Sequence, residues 1–236
     1  MSGRPEAKDF LPHAEPVRAL PRSVIASDLD GTIKARGRPV DPRVVDRLAQ
    51  AKKAGVTLIL VSGRCMKELE ELLPLSLFDA VVAENGAVLE AGGKTETLAP
   101  RWWASERERL AGLFEPGCER VIISIPREKS AGAALDPSRA RIEFNVDRAM
   151  ILPRGVDKAT GLRKALRRLG RGGRLVCLGD GENDLPMFRL ADVKVAMKNS
   201  VDELKEAADY VTEAEDGEGV LEAMDRFFPA GGPPRL

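Results

Sequence analysis

Short apolar runs of strand length recur at Val24–Ser27, Thr57–Val61, Ala80–Ala83, Arg174–Leu178, Lys194–Ala196 and Tyr210–Val211, separated by segments with helical spacing. That alternation constrains the chain more than any other feature. Runs apolar at every position are buried on both faces, which requires covering helices and a mainly parallel sheet. The helical segments are Pro42–Ala54, Cys65–Leu73, Lys158–Arg168, Leu185–Leu190, Val201–Ala208 and Gly219–Phe228. The first has Asp41 as its cap, Pro42 in its first turn and Gly55 beyond its end. The fold class expected is α/β.

One stretch breaks the rhythm. It holds a hairpin-like segment from Val88, a helix near Trp103–Phe114, and strands near Val121–Ile125, Arg141–Val146 and Ala149–Leu152. We therefore expect residues 23–86 and 154–228 to form the core, residues 87–153 an inserted α+β cap, and residues 1–22 and 229–236 loosely held tails rich in Pro and Gly.

Composition removes several kinds of chemistry. Lys plus Arg (37) balances Asp plus Glu (37), so no global basic field draws the chain to nucleic acid or an anionic membrane. No apolar run reaches the roughly 18 residues of a membrane span, and the N-terminal residues contain no apolar signal core, so a cytoplasmic protein is expected. The single histidine, His13, lies in the polar N-terminal segment, which excludes Ser-His-Asp and His-rich metal sites. Cys65, Cys118 and Cys177 are odd in number and far apart, and are expected to be reduced packing residues. Carboxylates, lysines and hydroxyls remain to carry the chemistry.

Those groups concentrate where apolar runs end. Ser27-Asp28-Leu29-Asp30-Gly31-Thr32 follows the first run, and alternation in an extended chain aims Asp28 and Asp30 the same way. Gly31 permits a sharp turn, and Thr32 offers a hydroxyl. A calcium loop is excluded because its glycine belongs at the sixth position, not the fourth. Gly179-Asp180-Gly181-Glu182-Asn183-Asp184 brings more acids to the end of another run. Carboxyl ends of strands are where open α/β sheets bind ligands, and acids gathered there repel unless a hard cation such as Mg²⁺ neutralises them. Ser62-Gly63-Arg64 and Lys158 add a hydroxyl and a cation suited to a phosphoryl group. No Cys is followed six residues later by Arg, no phosphate-binding G-x-x-x-x-G-K-[ST] occurs, and Gly170-Arg-Gly-Gly lacks the third glycine of a dinucleotide fingerprint.

In order and spacing, Asp28-Leu-Asp-Gly-Thr, Ser62-Gly-Arg, Lys158 and Gly179-Asp-Gly-Glu-Asn-Asp resemble the four motifs of the haloacid dehalogenase superfamily of phosphatases. The resemblance covers about residues 23–228 and implies a Rossmann-like core. Residues 33–56 leave room for one helix, whereas residues 84–157 hold the cap in the second insertion site. With Ala83-Glu84-Asn85-Gly86-Ala87 and the later Leu185-Pro-Met-Phe, this resembles the subfamily with type IIB caps. That subfamily includes Cof-type sugar phosphatases and archaeal-type phosphoglycolate phosphatases.

The resemblance implies Asp28 as nucleophile, Asp30 as general acid and base, and Mg²⁺ held by Asp28, the main-chain carbonyl of Asp30, Asp180 and Asp184. Its implied substrate-binding set is Thr32, Ser62, Gly63, Lys158 and Asn183. A small phosphorylated metabolite is expected, phosphoglycolate first and a sugar phosphate second, processed by a monomer or homodimer. A phosphomutase and a phospho-accepting signalling domain use similar residues, but the inserted cap and Asp30 favour turnover. Within the cap, Arg141, Glu143 and Asn145 alternate with Ile142, Phe144 and Val146. The polar face is either solvent surface or, if it faces the core, places Arg141 to bind a substrate carboxylate in a bidentate way. Trp102 and Trp103 read as packing residues.

Overall fold

The computed structural model describes residues 23–114, 116–132, 135–145, 148–170 and 173–229. Both expected tails, apart from Pro229, therefore lie outside the described residues, as do His13 and Val146. The expected apolar runs form β1 (Val24–Ser27), β2 (Thr57–Val61), β3 (Ala80–Ala83), β9 (Leu175–Gly179), β10 (Val193–Ala196) and β11 (Tyr210–Val211). Helices α1 (Pro42–Lys53), α2 (Met66–Leu72), α4 (Lys158–Leu169), α5 (Leu185–Phe188), α6 (Asp202–Ala207) and α7 (Asp216–Phe227) alternate with them. All these strand pairings are parallel, with β1 between β9 and β2. Every residue of β1 and β2 is buried, as their continuous apolar character requires.

The hairpin of β4 (Val88–Ala91) and β5 (Lys94–Thr97) corrects the sequence expectation, which assigned it to the inserted cap beginning at residue 87. It extends the large sheet instead, with β4 antiparallel to β3. The cause is a tight reversal in which Glu84, Asn85 and Gly86 all have positive φ, placing Val88 opposite Ala83. Val88 and Leu89 are thereby buried, and β3 is not left as an exposed edge. The smaller sheet has the order β6 (Ile123–Pro126), β8 (Arg148–Pro153), β7 (Ala140–Asn145), all antiparallel, and α3 (Trp103–Ala111) packs beside it. Trp103 is buried there and donates its indole N–H to the Val121 carbonyl at 2.8 Å. Among the described residues no helix is long and apolar enough to cross a membrane.

The cysteines also depart from expectation. Cys65 and Cys118 form a disulfide, and only Cys177 is a free thiol, buried in the core. A sequence separation of 53 residues gave no hint of proximity, because between the two cysteines the chain builds β3, β4 and β5 of the large sheet and then α3 before it reaches the entry to β6. The bond joins the cap residue of α2 to the lid. Closing a loop of that length stabilises by about 2–4 kcal/mol through loss of unfolded-state entropy. Cys118→Ser should lower the unfolding free energy by an amount in that range in denaturant titrations. Thiol counting of the denatured protein should find one reactive thiol before reduction and three after it.

Candidate active site

The site lies where β1, β2 and β9 end side by side. Ser27 is in register with Leu60 on one side and Leu178 on the other, and the Asp28 amide donates to the Leu178 carbonyl at 3.0 Å. Asp28 therefore sits next to the Gly179–Asp184 turn on one side and Ser62 on the other. Gly31 makes the approach possible. Its φ is +89°, and a Cβ there would lie 2.1 Å from Asp180 Oδ2.

Lys158 holds the centre. It starts α4, yet its ammonium is buried and donates to Asp28 Oδ1 and Asp184 Oδ1, each at 2.6 Å. A cation in the first helical turn opposes the helix dipole, so the two carboxylates must compensate both that field and the desolvation. Burial lowers the lysine's affinity for its proton, but Asp184 and Asp28 more than reverse this and hold it charged. The other oxygen of Asp184 accepts the amides of Asp180 and Gly181 at 2.9 and 3.0 Å. Asp184 thus fixes the turn and the lysine together.

Asp28, Asp180 and Asp184 are all buried, and each offers an oxygen within 4.8 Å of the others. Burial, with the neighbouring Asp184 and Asp180 charges, pushes the Asp28 carboxyl well up against the opposing pull of Lys158. Burial and the Asp184 charge push Asp180 up to about 6, despite Arg36 and Lys158. Arg36 Nη2 sits 2.9 Å from Asp180 Oδ2, so a side-chain cation partly occupies the role of a counter-ion. An all-oxygen cluster with surplus buried negative charge fits a hard divalent cation such as Mg²⁺. Beside it opens a cleft of about 350 Å³ bounded in part by Arg36, Asp180, Glu182, Asn199 and Asp216.

The remaining sequence-singled residues fall into different places. Asp30 is gripped by Arg64, whose Nη2 lies 3.0 Å away, and by Lys34 Nζ at 2.9 Å. Burial acts to raise its pKa, but the hydrogen bonds from Arg64 and Lys34 outweigh it and hold the carboxyl below its usual value. Thr32 is fully buried and donates to Asp180 Oδ1 at 3.3 Å, so its hydroxyl orients that carboxylate. Ser62 is buried beside Gly63, and its oxygen accepts the Arg64 amide. Asn183 donates to Asn85 Oδ1 at 3.1 Å.

Sequence reasoning gave no role to Asn85, Glu84, Glu143 or Met150. Asn85 donates to lid residue Glu143 at 2.7 Å, and Met150 Sδ lies 3.3 Å from it and near Gly63. Buried Glu84 accepts the amides of Arg120, Val121 and Ile122, tying the lid's entry strand to the core. The signal was the non-glycine pair preceding Gly86, since Asn tolerates the left-handed conformation and marks such turns.

The family model for haloacid dehalogenase-like hydrolases matches residues 25–99 and 140–224. The chain is similar to phosphoglycolate phosphatase 2 of Saccharolobus solfataricus, with 32% identity across 87% of this chain and 92% of that protein. It is also 32% identical to the phosphoglycolate phosphatase of Methanothermobacter thermautotrophicus, over 86% of this chain and 98% of that one. The solved structure of a sugar phosphatase of haloacid dehalogenase subclass IIB shares the fold, with a TM-score of 0.67 at 21% identity, covering 86% and 98% of the two chains.

Two outcomes follow from the electrostatics. Lys158→Met strands two buried carboxylates and should cost about 3–5 kcal/mol of stability in urea melts. Asp180 binds its proton more tightly folded, near pH 6, than unfolded, near its usual 3.8, so its contribution to stability falls as pH rises through that window. In chelator, melting temperature should therefore decline between about pH 4 and 6, and Asp180→Asn should flatten the decline. Added Mg²⁺ should raise the melting temperature more at pH 7 than at pH 5.

Proposed function

The chain belongs to the haloacid dehalogenase-like hydrolases, and from that membership we propose that it is a Mg²⁺-dependent phosphatase hydrolysing phosphoglycolate through an aspartyl-phosphate on Asp28. The observation that carries the reaction type is the buried Asp28–Lys158–Asp184 bridge beside Asp180. The substrate rests on the archaeal relatives named for that activity, which align over most of the chain.

Asp28, Asp180, Asp184 and the main-chain carbonyl of Asp30 would hold Mg²⁺, which when bound neutralises charge on the carboxylates and phosphoryl oxygens. Lys158, aided by Ser62 and the backbone at Gly63, binds the phosphoryl oxygens and lowers the repulsion between Asp28 and its anionic target. The Asp28 carboxylate attacks phosphorus as the bond to the glycolate oxygen breaks, and Asp30 gives its proton to that oxygen. Water then attacks the aspartyl-phosphate, Asp30 takes its proton, and phosphate leaves. Arg64 and Lys34 favour the ionised Asp30, the form the second half-reaction uses.

Asp28→Asn should abolish hydrolysis of 2-phosphoglycolate and of p-nitrophenyl phosphate, and full activity of that variant would overturn the assignment. Asp30→Asn separates the two roles. Nitrophenolate leaves without protonation, so this variant should release a burst of nitrophenol and accumulate aspartyl-phosphate, whereas alkyl substrates should react at least 100-fold more slowly. Equal loss on both substrate types would make Asp30 a structural or metal-binding residue only. Turnover of hexose phosphates without phosphoglycolate would move the substrate to a sugar phosphate.

A further inference from the structure

The lid strand β7 carries an arginine whose hydrogen-bonding is incomplete. Arg141 and Glu143, two residues apart, share one face of β7, and that strand runs over the Glu182–Asp184 turn of the core. Arg141 Nη2 donates to the Val156 carbonyl at 2.8 Å and pairs with Glu143. Arg141 Nε, however, is buried with no partner. A guanidinium cannot shed its proton, so a buried N–H without an acceptor is costly unless a ligand supplies one.

The position of the pair connects it to the phosphoryl site. Glu143 accepts from Asn85, which in turn accepts from Asn183 in the Gly179–Asp184 turn. Burial raises the Glu143 carboxyl against the opposing influence of Arg141 and, next, of Lys158, which places it within the field of the phosphoryl-binding lysine. Arg141 and Glu143 on the polar face of β7 therefore meet the core, which resolves for these two the choice the sequence left open.

We propose that Arg141 determines specificity by binding the carboxylate at the distal end of the substrate through Nε and Nη2, with Glu143 the resident carboxylate that the substrate displaces. The fork of an arginine matches two carboxylate oxygens, whereas a hydroxyl offers one acceptor atom. Glu143 already demonstrates that a carboxylate fits the guanidinium, and the free Nε supplies the second donor. This inference rests on the phosphoglycolate reading, because a substrate with no distal anion has nothing to place there.

The test compares 2-phosphoglycolate with 2-hydroxyethyl phosphate, which replaces the carboxylate by an alcohol, in the Mg²⁺-loaded enzyme. The quantity read is the ratio of kcat/KM for the two substrates in wild type, Arg141→Met and Arg141→Lys. Wild type should favour phosphoglycolate strongly. Arg141→Met should reduce the ratio at least tenfold, mainly through KM for phosphoglycolate, and Arg141→Lys, which keeps the charge but not the fork, should recover part of it. If Arg141→Met does not fold, the lysine variant decides by whether its ratio falls below that of wild type. A large wild-type ratio that survives both substitutions overturns the role of Arg141 and leaves the phosphoglycolate reading standing. A wild-type ratio near one overturns that reading, and the inference with it.

Discussion

A single buried ammonium organises this molecule. Lys158 reaches Asp28 at the end of β1 and Asp184 in the turn after β9, and neither carboxylate tolerates burial without it. Its reach depends on how closely α4 approaches the sheet. A Cβ at Gly161 would lie 2.3 Å from Val82 Cγ1, and one at Gly86 would lie 1.8 Å from the Asp157 carbonyl oxygen. Both glycines are therefore required by distance, and together they let the helix start close enough for its first residue to serve the site. The carboxylate of Asp157 caps the same turn by accepting the Thr160 amide, so the lysine backbone is fixed from both directions.

The acids divide by their partners. Asp184 spends its oxygens on Lys158 and two backbone amides, Asp30 is held by Arg64 and Lys34, and Asp28 and Asp180 retain the unfavourable burial. Chemically identical side chains thus acquire different proton affinities, with Asp30 below the usual range and Asp180 near 6. The ionised Asp30 suits the base of the second half-reaction, whereas burial pushes Asp28 toward the protonated form against the pull of Lys158, a charge that a bound cation would help it keep. The neutral net charge of the chain conceals it, since the balance is local.

What was legible in the sequence follows from interaction range. The motifs Asp28–Thr32 and Gly179–Asp184 could be placed at strand ends because local apolar runs define those ends, and the parallel sheet followed from strands apolar on both faces. The fate of the Val88–Thr97 hairpin was not legible. Its direction is set by left-handed torsions at Glu84 and Asn85, residues whose composition alone reads as an ordinary loop. The disulfide escaped for a related reason, as two cysteines 53 residues apart meet only after the lid has folded back on α2. Thr32 shows a subtler gap. Its place in the motif was evident, but that its hydroxyl turns to Asp180 depends on a partner 148 residues away.

The same strained turn also explains how lid and core are joined. Left-handed non-glycine residues cost of order 1–3 kcal/mol each and persist only where surrounding contacts hold them. Glu84 recovers that cost through three amides just before β6, and Asn85 through Asn183 below and Glu143 above. The core turn is therefore held in shape by the lid, and the lid is positioned by the turn. The disulfide adds a second attachment one residue beyond Arg64, which grips Asp30. Any opening of β7 away from the site must break the Asn85–Glu143 bond while the Glu84 bonds and the disulfide still anchor the segment entering β6. Because β8 pairs with both β6 and β7, the lid strands form one hydrogen-bonded sheet, and the anchors at the entry to β6 act through β8 to hold Arg141 and Glu143 of β7 over the catalytic carboxylates.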